Sequence, residues 1–139
     1  MQDRRQKPLA LILARELATQ LATATFIADA DGNLVFYNEA AEEVLGRTFA
    51  EAGPISAEEW SSLYQMEDLD GSPLPLERIP GWIALAERRP SHARLRIVGL
   101  DGVRRQISAT ALPLFSHPTE VVGMVAIFWQ EEDSGEQAP

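Results

Sequence analysis

Side chains that could move a proton, hold a metal or attack a carbonyl are few in this sequence, and their spacing decides what each could do. Asp29 and Asp31 are two carboxylates two positions apart, the raw material of an acid/base pair. They lie in and beside an Asp31-Gly32 turn, where a carboxylate caps backbone N–H groups. No His, Lys or further carboxylate stands in fixed relation to them, so the pair reads as turn chemistry. His92 and His117 fall at the start of a predicted strand and in a loop beside Pro118, the setting of an exposed imidazole rather than of a ligand. With no cysteine there is no disulfide framework, thiolate metal site or sulfur nucleophile. No phosphate-binding glycine loop, no Ser-His-Asp order with recognisable flanks and no metal-ligand spacing occurs. The sequence therefore assigns no catalytic residue and no metal ligand, and a non-enzymatic function is expected.

Charge narrows the partners. Twelve basic against 21 acidic residues give a net charge of −9, which repels phosphate backbones, so nucleic acid is not expected as a partner. Arg94, Arg96, Arg104 and Arg105 sit at alternating or paired positions of predicted strands and read as a solvated sheet face. A length of 139 residues, 45% of them hydrophobic and 24% charged, suits one domain with a sizeable core. No apolar run of about 18 residues supports a membrane span. The basic start, Met1 to Lys7, runs into a segment containing Arg15 and Glu16 and has no small-residue cleavage site. A cytoplasmic protein is expected.

The elements that must position everything else begin at Phe26. Phe26 to Asp29 and Leu34 to Tyr37 are short β-prone runs separated by Asp31-Gly32, a hairpin signal. Asn38 then stands where a helix N-cap belongs, Glu39 and Glu42 fill the first turn, and Gly46 supplies a left-handed stop. Asp31, Gly32, Asn38 and Gly46 are the structural positions of this block. Upstream, Pro8 suits a first helical residue. Leu9, Leu13, Leu17 and Leu21 recur every fourth position beside a row of alanines at 10, 14, 18 and 22, with Ile12 flanking the leucines. So broad an apolar arc suits two partners, the domain's own sheet and a second copy of the chain. The bland alternative is a helix buried on one side whose alanines face water, since alanine is simply the best helix former.

Downstream, Ser56-Ala57-Glu58-Glu59 is a capping box for a short helix expected to carry Trp60, Leu63 and Tyr64 inward. Asp70 to Leu76 is a proline-rich loop, and Pro80 opens a helix over Gly81 to Arg89 that Pro90 stops. Ala93 to Val98 and Val103 to Leu112 alternate as half-exposed strands around Asp101-Gly102, and Val121 to Trp129 is nearly continuously apolar, as a strand covered on both faces should be. The count is five strands in two groups, split by three helical segments and preceded by a helix. It predicts an α+β domain with one antiparallel sheet and short helices on one face. Residues 1–22 form the leading amphipathic helix, 23–130 the domain, and 131–139 an acidic tail expected to be disordered.

The block strand, Asp-Gly turn, strand, N-E-A-A-E-E-V-L-G resembles the opening of a PAS domain, a family of small sensory and interaction modules, with Asn38, Leu45 and Gly46 at its most recognisable positions. D-G-S-P-L-P-L-E-R-I-P, R-L-R-I-V-G-L-D-G, A-T-A-L-P-L-F and V-V-G-M-V-A-I-F are similar to the rest of that domain in order and spacing, over roughly residues 22 to 130. The resemblance implies a sheet of order 2-1-5-4-3, which puts the last strand in the interior. It also implies a site between the sheet and its helices. Strand parity and helix faces offer Phe26, Ala28, Leu45, Trp60, Leu63, Trp82, Ile83, Leu95, Ile97, Ile107, Ala109, Val125 and Ile127 as lining. Almost all are apolar, so a small apolar or aromatic ligand suits the inventory, and so does a filled core with none.

The resemblance implies that relatives hold haem, flavins, small acids, lipids or nothing there. Haem would need an axial histidine on the helix at Gly81 to Arg89, which has none, and the absence of cysteine excludes flavin photochemistry through a cysteine adduct. A dicarboxylate would want convergent Arg, Lys and hydroxyl groups, which the predicted inner faces lack. A flavin held without a covalent link stays open. Many relatives continue from the last strand through an Asp-Ile-Thr-like segment into an output domain. Trp129-Gln130-Glu131-Glu132-Asp133 stands here instead, which suits an excised domain or a module that reports to a separate signalling protein. The expected function is a sensory module that dimerises through Leu9, Ile12, Leu13, Leu17 and Leu21 and binds a small apolar ligand, a protein partner or both. The alternatives are a ligand-free interaction adaptor and, third, a small α+β enzyme using the same cavity.

Overall fold

The computed structural model describes residues 9–56, 58–60 and 64–131. Pro8 and the basic start, Leu63 and the tail from 132 onward, all singled out above, lie outside them. Helix α1 (Leu9–Ala18) leads into strand β1 (Ala24–Asp29), β2 (Leu34–Tyr37), α2 (Glu39–Leu45) and the single turn α3 (Phe49–Ala52). Strand β3 (Gln65–Glu67), a 3-10 turn at Leu76–Arg78, α4 (Pro80–Glu87), β4 (Ser91–Val98), β5 (Arg104–His117) and β6 (Glu120–Gln130) complete the chain. Every strand pairing is antiparallel and the order is β2-β1-β6-β5-β4-β3. The last strand is interior, as expected.

Local chemistry accounts for the opening hairpin. Asp29 Oδ1 accepts hydrogen bonds from the N–H groups of Asp31 and Asn33, both at 3.0 Å, and Gly32 takes a left-handed φ of +85°. The turn carboxylate is thus Asp29, while Asp31 is exposed. Gly46 ends α2 at φ +82°, its N–H bonded to the Glu42 carbonyl at 2.8 Å.

Among the described residues the sheet has six strands rather than five. The capping box operates, with Glu59 N–H donating to Ser56 Oγ at 3.1 Å, but the chain extends by Gln65 instead of staying helical to Asp70. Met66 pairs with Ile97 along the free edge of β4, and the Arg104 guanidinium grips the Glu67 carboxylate at 2.7 and 3.2 Å. An unpaired ladder edge outweighed helix propensity over three residues.

Helices α2 and α4 lie on one face. Ala41, Val44 and Leu45 of α2 join Leu95, Ile97, Ile107 and Phe128 in the larger core cluster, and Ala84 of α4 meets Ala28, Ala111, Met124 and Ala126. Helix α1 covers the other face, where Leu11 and Ala18 pack with Ile27 and Phe36, and Ala14, Val125 and Leu114 join from the edges. Its broad arc is therefore divided between two sides, and the alanines of the bland alternative do not all face water, since Ala14 and Ala18 lie against the sheet. Leu11, Ala14 and Ala18 face the sheet, while Leu9, Leu13 and Leu17 are 67%, 58% and 61% exposed. The seat for Leu11 is Gly123 on β6: a Cβ there would meet the Ala28 carbonyl oxygen and lie 2.8 Å from Leu11 Cδ2.

Candidate functional site

The region between the sheet and α2 and α4 is built from alternate residues of each strand. Phe26, on β1, has ring centroids 5.9 Å from Trp60 and 5.7 Å from Phe128, both tilted, so three aromatic rings run across the middle of the inner face. Trp60 fixes its own orientation by donating from Nε1 to the Gly32 carbonyl at 3.2 Å. Toward β4, Leu95, Ile97, Ile107 and Ala109 close against Leu45. Toward α4 the contacts are small. A Cβ on Gly81 would come 2.7 Å from Met124 Cε, so α4 lies directly on the sheet through Gly81, Ala84 and the alanines beneath.

Of the lining set, Phe26, Ala28, Leu45, Trp60, Leu95, Ile97, Ile107 and Ala109 come together on the inner face. Val125 and Ile127 do not. Val125 pairs with Ile27 and packs in the cluster under α1, and Ile127 pairs with Thr25 and Thr110, so the inward set of β6 is Met124, Ala126 and Phe128. A strand apolar on both faces gives no alternation from which to read parity, so its sequence does not distinguish the inward residues from the outward ones. On α4 the buried residues are Pro80, Gly81 and Ala84, while Trp82 and Ile83 are half-buried. Small residues face a closely packed sheet, and the large ones were the wrong guide.

Tyr64 adds a polar atom that the lining set omitted. The residue is 2% exposed, its hydroxyl is buried with no hydrogen-bond partner among the described residues, and burial raises its pKa despite the opposing charge of Arg47. It therefore keeps its proton as a potential donor. Nothing else here suggests proton transfer or metal chemistry: among the described residues no group of three or more His, Cys, Asp or Glu could hold a metal ion. His92 Nδ1 lies 2.7 Å from Thr110 Oγ1 on the exposed side of the sheet.

Asn38 holds the two halves of the molecule together. Its Oδ1 accepts from Thr25 N–H at 3.0 Å and Ala41 N–H at 3.1 Å, the second being the expected N-cap bond. Its Nδ2 donates to the carbonyls of Ala18, Leu21 and Thr23 at 3.0, 3.3 and 2.9 Å. The carbonyls at the end of α1 are thus satisfied by the residue that starts α2, a role that cap spacing alone cannot reveal.

A second anchor stands at the end of β6. Glu131, which the sequence placed in the tail, continues the ladder with its N–H on the Gln106 carbonyl at 2.8 Å. Its carboxylate accepts from Gln106 Nε2 (3.0 Å), Ser108 Oγ (2.7 Å) and Arg94 Nε (3.0 Å). These bonds, Gln106 first, hold its carboxyl down at about 2, against an ordinary 4.5. Because the folded value lies below the unfolded one, the stabilisation is complete above about pH 4.5 and is lost as pH falls toward 2. Glu131→Gln should flatten that part of the stability profile; acid melts of both proteins with the same slope between those limits would disprove the clamp.

The remaining feature is at the surface. An open depression of about 530 Å³ lies where α1 ends against α2, lined by Leu21, Ala22 and Ala40 together with Thr19, Glu39, Glu42 and Glu43.

The sequence profile of the PAS fold matches residues 18–130. Among solved structures, the PAS domain of BvgS from Bordetella pertussis superposes at a TM-score of 0.61 with 16% identity, over 91% of this chain and 90% of that one. The PAS domain of nitrogen regulation protein NR(II) from Vibrio parahaemolyticus gives 0.58 and 16%, over 86% and 98%. The LOV protein of Rhodobacter sphaeroides gives 0.70 and 17%, over 93% and 71%. At these identities the likeness is one of fold. Among curated protein sequences none matches.

Proposed function

The chain belongs to the PAS fold family, and from that premise we propose that it is a cytoplasmic signalling module, not an enzyme, that works as a homodimer joined through α1. The observation that carries the reading is the outer face of α1. Leu9, Leu13 and Leu17, with Ile12 at 44% exposure, form an aliphatic stripe directly opposite the residues that hold the helix to its own sheet. Large aliphatic side chains gathered on one side of a short helix mark a contact with another surface. A helix seated on the core by one face and on a second copy by the other transmits a change between them, and a separate signalling protein would read the result. Among the described residues no helix is long and apolar enough to cross a membrane.

The measurement is light scattering at high micromolar concentration. The unaltered chain is expected to be a dimer, and Leu13→Glu with Leu17→Glu a monomer with an unchanged circular dichroism spectrum, since both side chains already point away from the core. A monomeric parent, or a double variant that still dimerises, ends the reading.

A small apolar or aromatic ligand is the second part of the reading, supported by the unpartnered Tyr64 hydroxyl within an apolar core. The ring contacts of Phe26 with Trp60 and Phe128, and the close seat of α4, favour the ligand-free adaptor instead. Native mass spectrometry with an absorption spectrum separates the two. Added mass, or a band beyond the tryptophan region, establishes a ligand, and a bare chain in both establishes the adaptor.

A further inference from the structure

We infer that the leucine stripe of each α1 packs on the uncovered outer strands of the second copy, with Trp129 as the anchor of that contact; this rests on the proposed dimer. Helix α1 rests on β1, β5 and β6 and covers only part of the outer face. Along β6 the outward row starts at Gly123 and Val125 under the helix and continues through Ile127, half-buried, to Trp129, 45% exposed. Along β5 it starts at Leu114 under α1 and continues through Leu112 and Thr110, both half-buried, which pair with Val125 and Ile127. An apolar strip therefore emerges from beneath α1 and ends in an exposed tryptophan.

A contact confined to α1 is too small. The helix spans ten residues, about 15 Å, and one side of such a cylinder offers on the order of 300 Å². A stable interface buries about 800 Å² per partner. The open strands adjoin the helix and supply the difference. Stripe on sheet and sheet under stripe is a reciprocal contact, which gives the self-complementary patch that a two-fold axis requires.

Charge selects a second copy as the occupant and this face as the place. Each chain carries a net charge of −9, so two copies repel wherever acidic surface meets acidic surface. Around the strip the outward charges among the described residues are Arg94, Arg96 and Arg104 against Glu67 and Glu131, which leaves no negative excess. These polar groups also engage one another. Glu131 accepts from Arg94 and Ser108, Glu67 accepts from Arg104, and His92 Nδ1 lies beside Thr110 Oγ1. Covering the face therefore strands few of them without a partner. The His92 ring lies 6.2 Å from that of Trp129, and the anchored Glu131 follows two residues on, so the tryptophan is presented from a fixed strand end and loses little freedom on binding.

The test is the dimer constant, measured by light scattering over a dilution series. Trp129→Glu should weaken dimerisation by about tenfold or more, with an unchanged circular dichroism spectrum because the side chain is exposed. Leu76→Glu adds the same charge at an exposed leucine outside the strip, and should leave the constant within about twofold. A Trp129→Glu dimer as tight as the parent, or equal weakening by Leu76→Glu, overturns the contact and leaves the α1 dimer standing. A parent that is monomeric at high micromolar concentration removes the dimer itself.

Tryptophan emission supplies the second arm. It should move to the blue as the parent passes from monomer to dimer, and Trp129→Phe, which keeps an aromatic ring, should abolish most of that shift while the chain still dimerises. No shift in a dimerising parent, or one that survives Trp129→Phe, overturns the placement of Trp129.

Discussion

Asn38→Ala is expected to lower the unfolding free energy by about 3–4 kcal/mol, read as a shift in urea midpoint at constant slope. The side chain is 4% exposed and serves five backbone groups. Alanine strips the N-cap of α2, worth about 1 kcal/mol. It also removes a partner from the Thr25 N–H and from the carbonyls of Ala18, Leu21 and Thr23, of which Ala18 keeps the Leu21 N–H and Thr23 keeps Thr25 Oγ1, and each buried group left unpaired where water does not reach costs about 1 kcal/mol or more. A thermal midpoint lower by about 10 °C is the corresponding signature. Asn38→Asp sharpens the test. It keeps an acceptor for Ala41 but turns a carboxylate oxygen toward three carbonyls, which raises the folded-state pKa of the new carboxyl. Its stability relative to the parent should therefore be best at low pH and fall as pH rises through that raised value. A loss below about 1 kcal/mol for alanine would mean that water replaces the amide and that α1 is tied to the core by packing alone.

Gly123→Ala is the second large effect, expected at about 2–3 kcal/mol. The added methyl would press on the Ala28 carbonyl oxygen of the neighbouring strand and on Leu11 of α1. The backbone contact has no flexible end that can yield. The leucine does, so a double-mutant cycle with Leu11→Ala isolates the helix share: the pair should cost less than the sum of the singles by about 1 kcal/mol. Strict additivity would show that α1 does not rest on Gly123.

Most of the architecture was legible because it is written in short-range chemistry. The Asp-Gly turns, the N-cap at Asn38 and the left-handed stop at Gly46 are statements about single residues and their neighbours, and all hold. The interior place of the last strand followed from its unbroken apolar run, but the same run hid which side chains point inward, so Val125 and Ile127 went to the wrong face. Helix α1 was legible in part. The breadth of its arc pointed to two partners, but not to which row takes the sheet: Leu11 and two alanines fit a sheet that approaches closely at Gly123, and Leu9, Leu13 and Leu17 lie outside. Strand β3 had no local signal, since only the open edge of β4 makes three residues extend there. Glu131 was hidden for the opposite reason: within an acidic run it looks like every other tail residue, and Gln106, Ser108 and Arg94 lie far back in sequence.

Ala24 opens β1 directly beside Phe128 near the close of β6, and the two strands run antiparallel from there. The entry to β1 and the close of β6 therefore lie side by side at one pole of the sheet, so the end of α1 and the Glu131 anchor are neighbours across a single ladder rung, with the other four strands off that line.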